Sequence, residues 1–400
     1  MTERQPISGR ESASIYRSAR FRPILFMALI FFLTFVSRVV ISPLMPRIEN
    51  SLGIGHTQAG ALFLFMAIGY FLSLIGSGFV SARVNHRGTI VLSACGVGLA
   101  LCAISLSTGL SSLRWAVFAL GVAAGLYLPS GITTLTDMVE PRRWGQALAF
   151  HEMAPNLGFV AAPLIAELLL IRLSWRGVPA VLGILSITIG LLFAARGKGG
   201  EFPGTPPGIG AFRALFVTRD FWIMVVLFGL AIGSTLGIYT MLPLFLIDSI
   251  GLSENSANIL ISVSRLFGMG SALISGWATD RFGPRRTIVF MLGLTGMATI
   301  LLGAASGPTY AVIWVLAQAM LSTCFFPPGF AVLSSIGPPD YRNVVVSLTI
   351  PFAFILGGGL APTFIGMTGD AGSFSAGIIA LGALITTGAA LPPFLSDNRR

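Results

Sequence analysis

The sequence predicts an all-α integral membrane protein, with twelve transmembrane helices in two six-helix parallel pseudo-repeats. Three observations carry that prediction. The 400 residues are 54% hydrophobic and 10% charged, whereas soluble domains carry roughly 25% charged residues. Twelve apolar runs each approach or exceed the span requirement of about 20 residues. The last six runs repeat features of the first six at a near-constant offset, the mark of internal duplication.

The runs are 23–46, 57–81, 88–109, 114–138, 146–170, 178–195, 222–247, 256–279, 287–306, 309–335, 344–367 and 373–394. Gly and Pro are frequent inside them, as membrane helices tolerate. The longest connection, "RGKGGEFPGTPPGIGAFRALFVTRDF" at 196–221, is basic and rich in Gly and Pro. It predicts a linker between an N-terminal bundle, 23–195, and a C-terminal bundle, 222–394. Short tails, 1–22 and 395–400, flank them. An offset of 198 carries Gly78 to Gly276, Arg83 to Arg281, Arg87 to Arg285, Pro129 to Pro327 and Pro141 to Pro339. An offset of 199 carries Pro163 to Pro362.

The net charge is +10, and Lys198 is the single lysine among 25 basic residues. A nucleic-acid partner would require a basic face or domain. Here the basic residues recur in short clusters between apolar runs, so no nucleic acid is expected. With the N-terminus in the cytoplasm, nineteen of them fall on the cytoplasmic side. Only Arg47, Arg114, Arg172 and Arg176 fall opposite. The positive-inside rule then places both termini in the cytoplasm. The excess of Arg over Lys reads as the codon usage of a GC-rich bacterial gene, so the expected location is a bacterial cytoplasmic (inner) membrane. The first apolar run is too long for a signal-peptide core and is expected to stay as the first span.

Cys95, Cys102 and Cys324 lie scattered in apolar runs, so neither a disulfide framework nor a metal site is expected. There is no phosphate loop, zincin helix or nucleophile elbow. The reading is of a protein that is not an enzyme and needs no cofactor.

"GWATDRFGPRR" at 276–286 puts four charges between two apolar runs, and "GFVSARVNHR" at 78–87 is its degenerate copy. The first resembles the loop signature of the major facilitator superfamily. That resemblance extends to the twelve spans, the two halves and the central basic linker. It implies a conformational latch made by Gly276, Asp280, Arg281, Gly283, Arg285 and Arg286, with Gly78, Arg83 and Arg87 in the first copy. Gly276 is expected to let helices approach closely, and Asp280 to pair with an arginine or a helix N-terminus. The first copy departs from the pattern at Ala82, where the family has Asp, and at Asn85, where it has Gly.

Charges inside spans are functional candidates. Arg38 in "FFLTFVSRVVISPLMP" and Arg265 in "ILISVSRLFGMG" lie at mid-membrane depth. Each is either an anion clamp, since guanidinium keeps its charge and binds carboxylate or phosphate bidentately, or a structural cation paired with a buried carboxylate or carbonyls. The span-one Arg, "HEMAPNLGFVAAPL" at 151–164 and "SWRGVP" at 174–179 resemble the organic-anion branches of the superfamily, the organophosphate antiporters and anion:cation symporters. Span seven lacks the second Arg of the organophosphate branch. His151 and Glu152, and less strongly Asp137, are candidates for proton coupling; Glu167 reads as interfacial. Tyr70, Tyr127, Asn156, Tyr239 and Gln318 are polar positions that face either a substrate or a neighbouring helix. "LYLPSG" and "FFPPG" are matching breaks in spans four and ten.

The resemblance implies a monomeric secondary transporter in the lipid bilayer. It would move a small organic anion, a carboxylate or phosphorylated metabolite, by alternating access, with proton symport or exchange. Two rivals are a proton-coupled drug or metabolite exporter and a non-transporting receptor on the same scaffold. "GFVAAPLIAEL" lacks the exporter branch's Gly-Pro with flanking glycines.

Overall fold

The computed structural model of the chain describes residues 11–206, 216–336 and 342–396. Arg4, Arg10, Arg213, Pro339, Arg399 and Arg400 lie outside these residues. Among the described residues, eleven helical stretches are long and apolar enough to cross a membrane. One of them, His56–Ser105, has 50 residues and is broken at Asn85. It contains spans two and three, which gives twelve. Leu99, Leu168, Ile171, Leu273, Trp277 and Phe290 are exposed on the outside of the bundle, where lipid would cover them.

The two halves meet along three helix pairs. Span one (Pro23–Leu52) packs on span seven (Arg219–Ser249). Span two packs on span eleven (Val345–Asp370), and span five (Pro141–Leu170) on span eight (Glu254–Phe282). Spans two and eleven touch closely where Gly60 lies on the Pro362 backbone and Gly366 on the His56 carbonyl. A Cβ at either position would collide with backbone.

Prolines shape the interface chemically. Proline has no N–H, so the carbonyl four residues earlier loses its helical partner. Pro163 frees the Phe159 carbonyl, which accepts from Tyr239 Oη at 3.1 Å. Pro243 frees the Tyr239 carbonyl, which accepts from Ser42 Oγ at 3.0 Å. Both bonds cross between the halves. Pro328 frees the Cys324 carbonyl for Ser275 Oγ within the C-terminal half. The matched breaks also appear. Span four is interrupted at Leu126 before the helix Tyr127–Asp137, and span ten passes through a 3-10 turn, Thr323–Phe325.

Span seven carries a π-helical segment, Gly233–Gly237, and span eleven another, Ile355–Leu360. Such segments interrupt the ordinary hydrogen-bond ladder. Here the Ser234 carbonyl accepts from Gln318 Nε2 at 2.7 Å and the Thr235 carbonyl from Arg265 Nη2 at 2.8 Å.

The loop copies differ for physical reasons. Gly283 has φ 86, and Asn85, 198 positions earlier, has φ 60. Asn is among the non-glycine residues most often found at positive φ, and its Oδ1 accepts from Gly88 N at 2.8 Å. The start of the linker packs on the first copy. Arg87 N donates to the Gly200 carbonyl at 2.7 Å, His86 N to the Phe202 carbonyl at 3.2 Å, and the Arg87 guanidinium pairs with Glu201 at 2.5 Å. The role expected of Gly276 is not seen. Among the described residues nothing lies where its Cβ would be, so none of their helices approaches it. Asp280 and Arg281 are exposed, and Arg285 Nη2 donates to the Ser396 carbonyl.

Candidate functional site

Arg38 ends the first segment of span one, just before the turn at Val40. It is only 7% exposed. Its guanidinium carbon sits 4.5 Å from the Tyr70 ring centre, 5.1 Å from Phe35 and 5.6 Å from Phe354. Aromatic faces attract a cation, but they do not neutralise it. Among the described residues, no carboxylate pairs with it, and its buried Nε has no hydrogen-bond partner. A buried charge in this condition is costly unless something anionic completes it.

Arg265 repeats the arrangement from the other half. Its guanidinium carbon is 4.9 Å from both Phe159 and Tyr239. One nitrogen bonds the Thr235 carbonyl, and its Nε is also buried without a partner. Phe35 and Phe159 meet edge to face at 4.8 Å. This ring pair connects the two cages.

Beside Arg38, between the halves, lies a narrow space. Phe35, Phe63 and Met66 wall it from the N-terminal half, and Leu236 and Phe354 from the C-terminal half. Its polar side chains are Arg38 and Thr240, and the Thr240 hydroxyl already donates to the Gly237 carbonyl at 2.9 Å.

The other sequence candidates separate into groups. Tyr70 lies under Arg38 and Tyr239 under Arg265. Gln318 is fully buried in its helix contact with Ser234. Asn156 is exposed and bonds the Glu152 carbonyl of its own helix. Asp137 is exposed at the end of span four. Tyr127 is fully buried within the N-terminal half, where its hydroxyl donates to the Met27 carbonyl at 2.7 Å. That bond uses the hydroxyl proton, so His151 Nε2, 3.0 Å away, must donate to Tyr127 Oη. The fully buried imidazole stacks on Phe31 at 4.4 Å. Its Nδ1 has no hydrogen-bond partner and lies 3.5 Å from Glu152 Oε1, on a half-exposed side chain.

Sequence reasoning missed the polar contacts on the face opposite the termini. Asp370 of span eleven accepts from the backbone N–H groups of His56 and Thr57 at 2.8 and 2.9 Å. It thereby caps span two from the other half. His56 Nδ1 is 3.0 Å from Glu49, and its Nε2 is 3.8 Å from Asp248. Arg47 pairs with Glu254 at 2.8 Å, and Asn258 donates to Glu167 at 2.6 Å. Glu49, His56 and Asp248 are also the described residues whose donor atoms could hold a metal ion. Their only sequence signal was position, at the ends of spans far apart in the chain. The aromatic partners Phe35, Phe159 and Phe354 were hidden among 30 phenylalanines.

The Major Facilitator Superfamily profile matches residues 27–362 and 238–399. A "Probable L-galactonate transporter" of Escherichia coli is 24% identical over 283 residues, 64% of this chain and 61% of that protein. The match thus spans less than two thirds of that relative's length. "Membrane sensor protein UhpC" of Escherichia coli is 23% identical over 363 residues, 83% of this chain and 79% of that one. Among solved structures, a bacterial homologue of the human lysosomal transporter Spinster superposes with a TM-score of 0.81 at 18% identity. That alignment covers 94% of this chain and 96% of that one. A POT family transporter in complex with 5-aminolevulinic acid gives 0.77 at 14%, covering 94% and 97%. With twelve spans and a match along most of its length, the chain belongs to the major facilitator superfamily.

Proposed function

We propose that the chain is a secondary transporter that carries a small organic anion across a bacterial cytoplasmic membrane, with both termini inside. The halves 1–195 and 222–400 rock about a site between them, and Arg38 clamps the substrate's acidic group. The observation that carries this reading is the buried Arg38 guanidinium, at the junction of the halves, with an unpartnered Nε and no carboxylate of the described residues beside it. A structural arginine would have a carboxylate or a carbonyl partner nearby. Arg265 is the second clamp candidate, although its Thr235 bond gives it a structural partner. Transport is coupled to protons through His151 and Glu152, with Asp137 exposed on the same side. The working unit is a monomer.

The test is ligand-induced thermal stabilisation of the purified protein over carboxylates, sugar phosphates and lipophilic cations. A ligand at 100 times its Kd stabilises the folded state by about 2.7 kcal/mol. An anion is expected to stabilise the wild type and not Arg38→Ala. Stabilisation by a cation that survives Arg38→Ala would favour the exporter reading instead. A receptor reading has one specific support, the similarity to a protein described as a membrane sensor. A receptor would bind the anion without exchanging it.

A further inference from the structure

Resting on the anion reading above, we propose that the substrate is a small monocarboxylate with an apolar body, rather than a sugar acid, a sugar phosphate or a dicarboxylate. The proposal follows from what the space beside Arg38 offers and what it withholds.

It offers one cation. Arg38 lines the space; Arg265 does not. Phe35 belongs to the Arg38 cage and Phe159 to the Arg265 cage, and the two rings meet. A dicarboxylate would bring one charge to Arg38 and bury the second among apolar side chains without a partner, which is strongly unfavourable. A phosphate monoester carries more than one negative charge near neutral pH, and the same argument applies.

It withholds hydrogen-bond partners. The walls are rings and aliphatic side chains, with Val39 and Ala67 completing them. The hydroxyl proton of Thr240 is committed to Gly237. A polyhydroxylated acid would lose its water bonds on entry and recover few of them. An apolar body loses nothing comparable and gains contact with Phe63, Met66, Leu236 and Phe354. The walls leave little free room between them, so the molecule is small.

The probes are phenylacetate, its α-hydroxy analogue mandelate, gluconate, succinate and glucose 6-phosphate. Their affinities are measured by calorimetry on the full-length protein in detergent. Phenylacetate is expected to bind best. Mandelate, with one added hydroxyl, is expected to bind up to roughly 100-fold more weakly, and gluconate more weakly still. Phenylacetate binding should disappear in Arg38→Ala. Val39→Thr, which changes the wall with little change of shape, should narrow the phenylacetate-to-mandelate ratio while the protein stays folded. Gluconate, succinate or glucose 6-phosphate binding more tightly than phenylacetate, in an Arg38-dependent way, would overturn the monocarboxylate inference and leave the anion reading standing. If none of the five anions depends on Arg38 in a variant that melts like the wild type, both fall. An unchanged ratio in Val39→Thr would overturn the assignment of this space as the place where the body sits.

Discussion

Arg38 and His151 show two different uses of burial. Arg38 is surrounded by ring faces that stabilise a cation without satisfying its donors, and in the proposed reading an anion arriving from water completes it. His151 is locked by one hydrogen bond. The Tyr127 hydroxyl gives its proton to Met27, so the imidazole keeps its Nε2 proton and presents Nδ1 toward Glu152. A proton reaching that pair from the Glu152 side would add an ion pair without rearranging the stack. His151→Gln removes the proton acceptor, and the glutamine amide can still donate to Tyr127. The account predicts that this variant exchanges substrate across a vesicle membrane at near wild-type rate, but loses accumulation driven by an imposed pH gradient. Wild-type accumulation in the variant would remove His151 from the coupling path. The two arginines were legible in the sequence because a charge inside an apolar run is conspicuous. Their cages were not, since nothing in the chain distinguishes Phe35, Phe159 and Phe354 from the other phenylalanines until the helices pack.

At the scale of helices, the spans and the duplication were readable because apolar length and a fixed offset survive divergence. Asn85 and Gly283 show this, meeting the same positive-φ requirement 198 positions apart. The close packing expected at Gly276 does not appear among the described residues, where nothing lies at the position of its Cβ. The contacts opposite the termini were illegible for another reason. Asp370 caps a helix that begins 314 positions earlier, and a cap supplied by the other half leaves no local pattern. Loss of a helix N-cap costs about 1 kcal/mol. Asp370→Ala should therefore reduce the population closed on this face relative to the open one by roughly fivefold, since 1.4 kcal/mol corresponds to about tenfold. Spin-label distances between spans two and eleven on that face measure it. An unchanged distance distribution would mean that Asp370 stabilises span two alone and does not bias the halves.

For the whole molecule, the polar ties among the described residues are unevenly placed. Arg47–Glu254, His56–Asp370, Thr57–Asp370 and Asn258–Glu167 join the halves near the face opposite the termini. Ser42 and Tyr239 join them nearer the middle through carbonyls freed by proline. The Arg38 space lies at the same junction, so any relative rotation of the halves changes its walls. A protein that only binds would have no need to open this junction alternately to the two sides. The most direct measurement is therefore counterflow in vesicles. Wild-type protein and Arg38→Ala are reconstituted with unlabelled phenylacetate inside, and entry of labelled phenylacetate is followed. The account predicts exchange by the wild type and none by Arg38→Ala. Labelled anion that binds the wild type without entering, or enters equally through Arg38→Ala, would contradict transport through this site.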